Sequence, residues 1–537
     1  MVSTQTIKTK PLNRRIYLVL SILAIATLAA YWPSFTVPFY LDDRLSVVEN
    51  QLLHTGTVIE LWQTYGMRFV GYLTFWLNAQ TSTNSIEALH LTNFAIHLMN
   101  GGLVFVLARL LTRHFVLNLE DKQIVFFAAV VSLVWLVHPL NTQAVTYIVQ
   151  RLASLVTLFY LIALFSYFKI KLEQFSILWL LAFVISIVFG LLTKQNFLTL
   201  FVFILTFEVV FSEKNRQVRY WQAFLIAFLL LALVYPFALD LFKSISVLTK
   251  ETTATSRNGY FVTQTVVIWL YIKKFFLPAS LQLDMGVMVA NPSSGLHFVA
   301  LLAHIALIGI AIKAKRYMPL FTIGILLYYA GHSVESFVIP ITDLAFEHRT
   351  YLPNVGLTIA FCSLVHKYCK WYSSQLVLVG GVTVLFLVGI TYQRNLLWQD
   401  PYSFYKNEYQ LAPESPRAME AFALQLIAKG ELDKAEPLLL KSVNENLIQG
   451  KVTVTGLNNL MLILFQQGKY QAAINTAMVS LKYIKQPKDK SLILSTIAYG
   501  YIKMGWCDFA RGLSNKAMQL DSSNVRAKEY FEYCSQT

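Results

Sequence analysis

The chain is poor in cysteine and in charge. Its 537 residues hold only four cysteines, and none has a metal-ligating spacing, which excludes a zinc-ribbon type of site. Cys362 and Cys369 lie on or near an apolar segment. Cys507 and Cys534 fall in the C-terminal part and are expected as free thiols, unless that part faces an oxidising compartment. Charged residues make up 14% of the chain and hydrophobic ones 56%, with a mean hydropathy of +0.53. So little charge on so long a chain excludes a soluble protein and implies several membrane spans. Acids are scarcer than bases, 29 against 44, for a net charge of +15. No nucleic-acid motif accompanies the excess, so it reads as the basic bias of cytoplasmic loops, with no nucleic-acid partner. No small-residue cleavage site follows the basic start (Lys8, Lys10, Arg14, Arg15), so the first apolar segment is expected as a retained helix. No inverted internal repeat marks a transporter.

What is present is a membrane part, residues 1–393, and a polar C-terminal part with helical periodicity, residues 394–537. A basic N-terminus places the start in the cytoplasm, and the first span, near Ile16 to Tyr31, leads outward. Basic clusters at Arg109 to Lys122, Lys169 to Lys171, Lys214 to Arg219, Lys313 to Arg316 and Lys367 to Lys370 then alternate with polar turns. A seventh span exits near Phe237. The segment Tyr260 to Pro278 carries Lys273-Lys274 in its middle, which predicts an interfacial or re-entrant helix, because a full span would place the pair deep in the bilayer. The last span, Leu376 to Ile390, leads out. The sum is about eleven spans of roughly 20 residues, with the C-terminal part outside.

This parity gathers Asp42-Asp43, His138 to Gln143, Lys194-Gln195, Glu251 to Arg257, Asp284 and Glu347 to Arg349 on one face. Adjacent carboxylates at the mouth of a membrane protein point to a general base at the membrane surface. In the C-terminal part a period of about 37 residues appears. Ala423, Met461 and Ala498 occupy equivalent places, as do Ala435, Ala473 and Ala510, with Gly430, Gly468 and Gly505 at the turns. The pattern resembles tetratricopeptide repeats, which stack helix hairpins and bind proteins or peptides.

Several segments, in order, resemble the transmembrane-and-tetratricopeptide O-mannosyltransferases. They are Phe39-Tyr40-Leu41-Asp42-Asp43 with Asn50, Arg68-Phe69-Val70-Gly71-Tyr72-Leu73-Thr74, Leu91-Thr92-Asn93-Phe94-Ala95-Ile96-His97, His138-Pro139-Leu140-Asn141-Thr142-Gln143-Ala144-Val145 with Arg151, and Glu347-His348-Arg349-Thr350-Tyr351-Leu352-Pro353. Arg394-Asn395 and Trp398 precede the repeats as in that family. The resemblance, to a bacterial-type relative, implies an all-α GT-C membrane fold with a C-terminal tetratricopeptide α-solenoid. It also implies transfer of a sugar from a polyprenyl-phosphate carrier to an outer-face acceptor, usually with inversion. Asp42 or Asp43 would be the base; the second position is Asp here, where related protein mannosyltransferases have Glu, which leaves the choice open.

The chemistry agrees with the residues. A hydroxyl attacking an anomeric carbon needs a carboxylate to take its proton, and a leaving lipid phosphate needs cationic donors. Arg349 is the first candidate, since a guanidinium binds phosphate bidentately. Arg151, Lys194 and Arg257 follow. Glu347 is expected to pair with or orient Arg349, His348 to belong either to the site or to its loop, and His138 either to bind donor or to cap a turn. His90, His97 and His332, on apolar helices, are expected as satisfied core histidines. No metal ligand set is recognised, and no metal or other cofactor is required by a monophosphate carrier. The expected partners are the polyprenyl-phosphate monosaccharide, an exported acceptor protein held by the repeats, and membrane lipid. The expected location is a bacterial inner membrane, with site and repeats in the periplasm, ahead of an endoplasmic reticulum. Two other readings are a transferase acting on lipid or surface glycan, and a non-catalytic scaffold with a repeat docking domain.

Overall fold

The computed structural model of the protein describes residues 10–82, 85–211, 256–287, 295–338, 340–341, 343–369, 374–448 and 452–536. The expected seventh span near Phe237, the basic cluster Lys214 to Arg219 and the loop from Glu251 lie outside these. Among the described residues β pairing is confined to isolated bridges, such as that between Asp284 and Phe346, and the rest of the regular structure is helical. The protein is an integral membrane protein. Five described helices are long and apolar enough to cross a membrane: those within Arg14–Thr36, Ile86–Phe115, Ile148–Leu172, Gly295–Ala314 and Val377–Gln399. A sixth is the pair Asp121–Leu136 and Pro139–Thr146, bent by 52°. The bend falls at His138-Pro139, where proline removes a backbone donor and disfavours the helical conformation of the residue before it. Other expected spans coincide with shorter helices, such as Ile177–Leu191, Pro319–His332 and Pro353–Tyr368.

Contiguous chain forms two compact units, Met1–Asp400 and Pro401–Thr537. The last membrane helix, Ser374–Gln399, runs unbroken through Arg394, Asn395 and Trp398. The boundary therefore falls a few residues beyond the expected one, because no breaker interrupts the helix before Pro401. Within the membrane unit, helices Pro319–His332 and Pro353–Tyr368 touch backbone to backbone at Gly324 and Gly356, where a Cβ on either would strike the other's carbonyl. Small residues are what lets membrane helices approach so closely.

Helix Arg257–Phe276 corrects one expectation. Lys273 and Lys274 sit in its last turn, not its middle. Lys274 donates to the carbonyls of Ala279 and Ser280, as a cation at a helix C-terminus should. The helix meets one loop along its length: Tyr260 donates to the carbonyl of Glu335, Gln264 to that of Leu344 and Tyr271 to that of Phe346.

The C-terminal unit consists of helix Pro401–Leu411, three hairpins and a closing helix. The hairpins are Pro416–Ala428 with Leu432–Ile448, Val454–Gln466 with Tyr470–Ser480, and Pro487–Lys503 with Cys507–Leu520; the last helix is Val525–Gln536. Gly430, Gly468 and Gly505 each adopt a left-handed φ near +75°. The amide after each glycine bonds back to the helix it ends (Glu431 to Leu426, Lys469 to Leu464, Trp506 to Tyr501), the closure that satisfies orphan carbonyls at a helix C-terminus. The repeat-register residues Ala423, Met461, Ala498, Ala435, Ala473 and Ala510 are all fully buried.

Cys507 and Cys534, expected as free thiols, form a disulfide with Cα atoms 5.1 Å apart. The third hairpin and the closing helix stack so that the two side chains meet, which linear spacing does not reveal. The bridge closes a separation of 27 residues, worth roughly 2–4 kcal/mol by restricting the unfolded chain. Full-length protein purified without reductant should yield a linked Cys507–Cys534 peptide by mass spectrometry. Cys534→Ser should lower the unfolding midpoint of the repeat unit. Fully alkylated cysteines in native protein would refute the bridge.

Candidate functional site

The first-loop turn is built around Asp43. Its carboxylate accepts the amide of Tyr40 at 3.1 Å and that of Val149 at 2.7 Å, and the side chain is fully buried. Leu41, between them, has φ +36°, a left-handed conformation that costs a non-glycine residue of order 1 kcal/mol and persists where surroundings impose it. Asp42 is thereby turned outward and exposed, its amide donating to the Tyr147 hydroxyl at 2.9 Å. The Tyr40 hydroxyl donates to the Trp398 carbonyl at 2.6 Å, which fastens the turn to the last membrane helix.

Burial pushes the Asp43 carboxyl up to about 7, against the two amides that favour its ionised form. Such a group binds its proton more tightly folded than unfolded. Its contribution to stability is therefore full below the unfolded value of about 4 and is lost as pH rises through about 7. The effect is of the order of a few kcal/mol. The unfolding midpoint of the wild type should fall relative to that of Asp43→Asn, which cannot ionise, between pH 5 and 8. Parallel profiles would mean that Asp43 does not titrate in that window.

The late motif sits at the other end of the same short segment. Gln143 donates to the Leu283 carbonyl at 3.1 Å and accepts the amide of His348 at 2.8 Å. Gln143 and Tyr147 are one turn apart, about 6 Å along a helix. The acidic turn and the Glu347-His348-Arg349 loop thus converge on one segment. Glu347 is fully buried and pairs with Arg394 at 2.5 Å, not with Arg349 as expected; its other oxygen accepts the amide of Gln282 at 2.7 Å.

Arg349 donates to the carbonyls of Leu344 and Asp343. Nearby, Lys194 pairs with Glu335 at 3.0 Å. Burial would push the Glu335 carboxyl up, but the charges of Lys194 and Arg349 hold it down at about 2. Burial, helped by Lys194, keeps the His348 ring neutral, well below the usual histidine range. Three expected residues, Lys194, His348 and Arg349, therefore share one neighbourhood with Glu335 at its centre. Glu335 was missed by sequence reading. Its signal was an acid directly after the apolar helix Pro319–His332.

Other candidates stand elsewhere. Arg151 is fully buried. It donates to Asn93 at 2.6 Å, Asn78 at 2.6 Å, Thr74 at 3.3 Å and the Leu89 carbonyl at 2.9 Å, and its guanidinium lies 4.1 Å over the Phe75 ring. His138 uses both ring nitrogens, toward the Phe275 carbonyl and the Leu140 amide, and stacks on Phe275. Arg257 is exposed at the first residue of its helix, one turn before Tyr260. Among the described residues no group of three or more His, Cys, Asp or Glu side chains is placed to hold a metal.

No family model matches the chain. It is similar to the protein O-mannosyl-transferase TMTC3 of Homo sapiens, with 29% identity over 165 residues, 28% of this chain and 17% of that protein. The Mus musculus protein of the same name is 30% identical over 180 residues, 31% of this chain and 18% of the relative. The protein O-mannosyl-transferase F38B6.6 of Caenorhabditis elegans is 22% identical over 419 residues, 74% of this chain. The chain thus spans less than a fifth of the mammalian relatives and 58% of the nematode one. By sequence the chain is similar to proteins named protein O-mannosyl-transferases.

Proposed function

We propose that this chain is a GT-C glycosyltransferase that moves mannose from a polyprenyl-phosphate carrier to protein hydroxyls at the outer or luminal face of its membrane. The observation that carries the proposal is the convergence of the Asp42 turn and the His348-Arg349 loop on Gln143 to Tyr147. An exposed carboxylate and buried cations are the two halves that glycosyl transfer from a phosphate requires. The names of the relatives supply the sugar and the protein acceptor.

The acceptor oxygen forms its bond to the anomeric carbon as the bond from that carbon to the phosphate oxygen breaks. Asp42 takes the hydroxyl proton. Asp43 is the positioning residue, since backbone amides occupy its oxygens while Asp42 stays exposed. Arg349 and Lys194 stabilise the leaving phosphate, and Glu335 holds these cations in place. Arg151 and His138 shape the site through the backbone and side chains that they bind. The repeat hairpins engage the acceptor protein, and their disulfide favours an oxidising compartment.

The test is intact-mass analysis of exported proteins from cells with and without the chain. A mass increment of one hexose that requires the chain is the expected result. Identical masses, with the protein expressed and folded, would overturn the protein-acceptor reading.

A further inference from the structure

The Lys194–Glu335 neighbourhood contains polar atoms that no described residue satisfies. His332 and Ser336 are 1% and 0% exposed, yet among the described residues His332 Nε2 and Ser336 Oγ have no hydrogen-bond partner. His348 Nδ1, close by, has none either. A buried polar group without a partner is costly and calls for a specific reason. His97 is the contrast: both its nitrogens are bonded, to Tyr351 and the Leu136 carbonyl, as expected of a core histidine. His332 departs from that expectation, and so does His90, whose Nδ1 has no partner among the described residues.

Of these atoms, those of His332 and Ser336 are close along the chain. His332 ends helix Pro319–His332, and Ser336 lies four residues further, in the π-helical turn Val334–Val338. Turns of this rare kind are found frequently at functional sites. Glu335, paired with Lys194, stands between them in sequence. The His332 ring stacks on Tyr271, whose hydroxyl exchanges hydrogen bonds with the backbone of Phe346, next to Glu347-His348-Arg349. A neutral imidazole nitrogen accepts or donates according to its tautomer, and a hydroxyl can do both. Beside two buried cations they suit a ligand that carries hydroxyls and a phosphate on adjoining atoms.

We propose that His332 and Ser336 form a glycosyl subsite that binds hydroxyls of the sugar, while Lys194 and Arg349 hold the phosphate to which it is joined. This rests on the reading above and adds two residues that decide which sugar is taken. A site built to bond hydroxyls discriminates against ligands that lack them, because its own groups are then left unpaired.

The experiment measures binding of two probes to detergent-solubilised full-length protein: a short-chain polyprenyl-phosphate mannose and the same polyprenyl phosphate without sugar. The wild type should bind the mannosyl probe more tightly. Ser336→Ala and His332→Phe, the second of which keeps the ring against Tyr271, should each cut that preference about 3- to 10-fold and leave affinity for the bare carrier unchanged. Unchanged carrier affinity also shows that each variant is folded; should His332→Phe not fold, Ser336→Ala decides alone. Equal wild-type affinity for the two probes, or a full sugar preference in the folded variants, would overturn the subsite and mean that the unpartnered atoms hold water. Failure of the wild type to bind either probe would overturn the donor class, and the subsite with it.

Discussion

Asp42→Asn is expected to reduce sugar transfer by a factor of about 10²–10⁴, the usual worth of a positioned general base, with the unfolding midpoint unchanged. The amide substitute keeps the shape and removes the proton acceptor. The backbone amide of residue 42 still donates to Tyr147, and the turn is still held by Asp43. Loss should therefore fall on the chemical step, with donor affinity near that of the wild type. Asp43→Asn should differ in kind. Its oxygens accept two amides, and an Asn offers one acceptor where two are used, so the strained turn at Leu41 loosens and stability falls together with activity. Full transfer by the folded Asp42→Asn variant would remove Asp42 from the chemistry.

Arg151→Met is expected to destabilise the membrane unit by about 3–5 kcal/mol, enough to lower the yield of folded, detergent-solubilised protein sharply. Removing the guanidinium takes the donor from the buried Asn93 oxygen, at roughly 1–3 kcal/mol, removes the bonds to Asn78 and the Leu89 carbonyl, and leaves a cavity over Phe75. Arg151→Lys should recover little, because an ammonium cannot reach this fork of acceptors and lie flat over Phe75 at once. Size-exclusion profiles and thermal unfolding in detergent check both variants. Folded Arg151→Lys protein that has lost donor affinity would return Arg151 to the phosphate ligands.

The repeat register was legible because it is local. Glycine at a left-handed turn and small residues at fixed offsets are requirements of a single hairpin, so Gly430, Gly468 and Gly505 announce it in one dimension. The membrane character was equally legible, because apolar length is a property of contiguous chain. The family motifs were visible as strings. What each string does was not. Thr74 and Asn93, in two separate motifs, turn out to be partners of Arg151 in a third, and Glu347 pairs with Arg394 across 47 positions. Glu335 was overlooked because an acid after an apolar helix looks like a solvated end until Lys194 is placed against it.

By itself, then, the sequence determined that the protein is a helical membrane chain followed by stacked hairpins, since periodicity and apolar length act through neighbours along the chain. Tertiary structure alone set Asp42 and Asp43 apart, one exposed and one buried. These adjacent residues are chemically identical, and only the arrival of the Val149 amide, more than a hundred positions away, buries one and leaves the other facing out. It also decided that Cys507 meets Cys534, that His332 is unsatisfied where His97 is not, and that the acidic turn and the basic loop share one helical turn. Each of these depends on which distant backbone group comes within about 3 Å, a distance set by how the helices pack and not by any local preference of the chain.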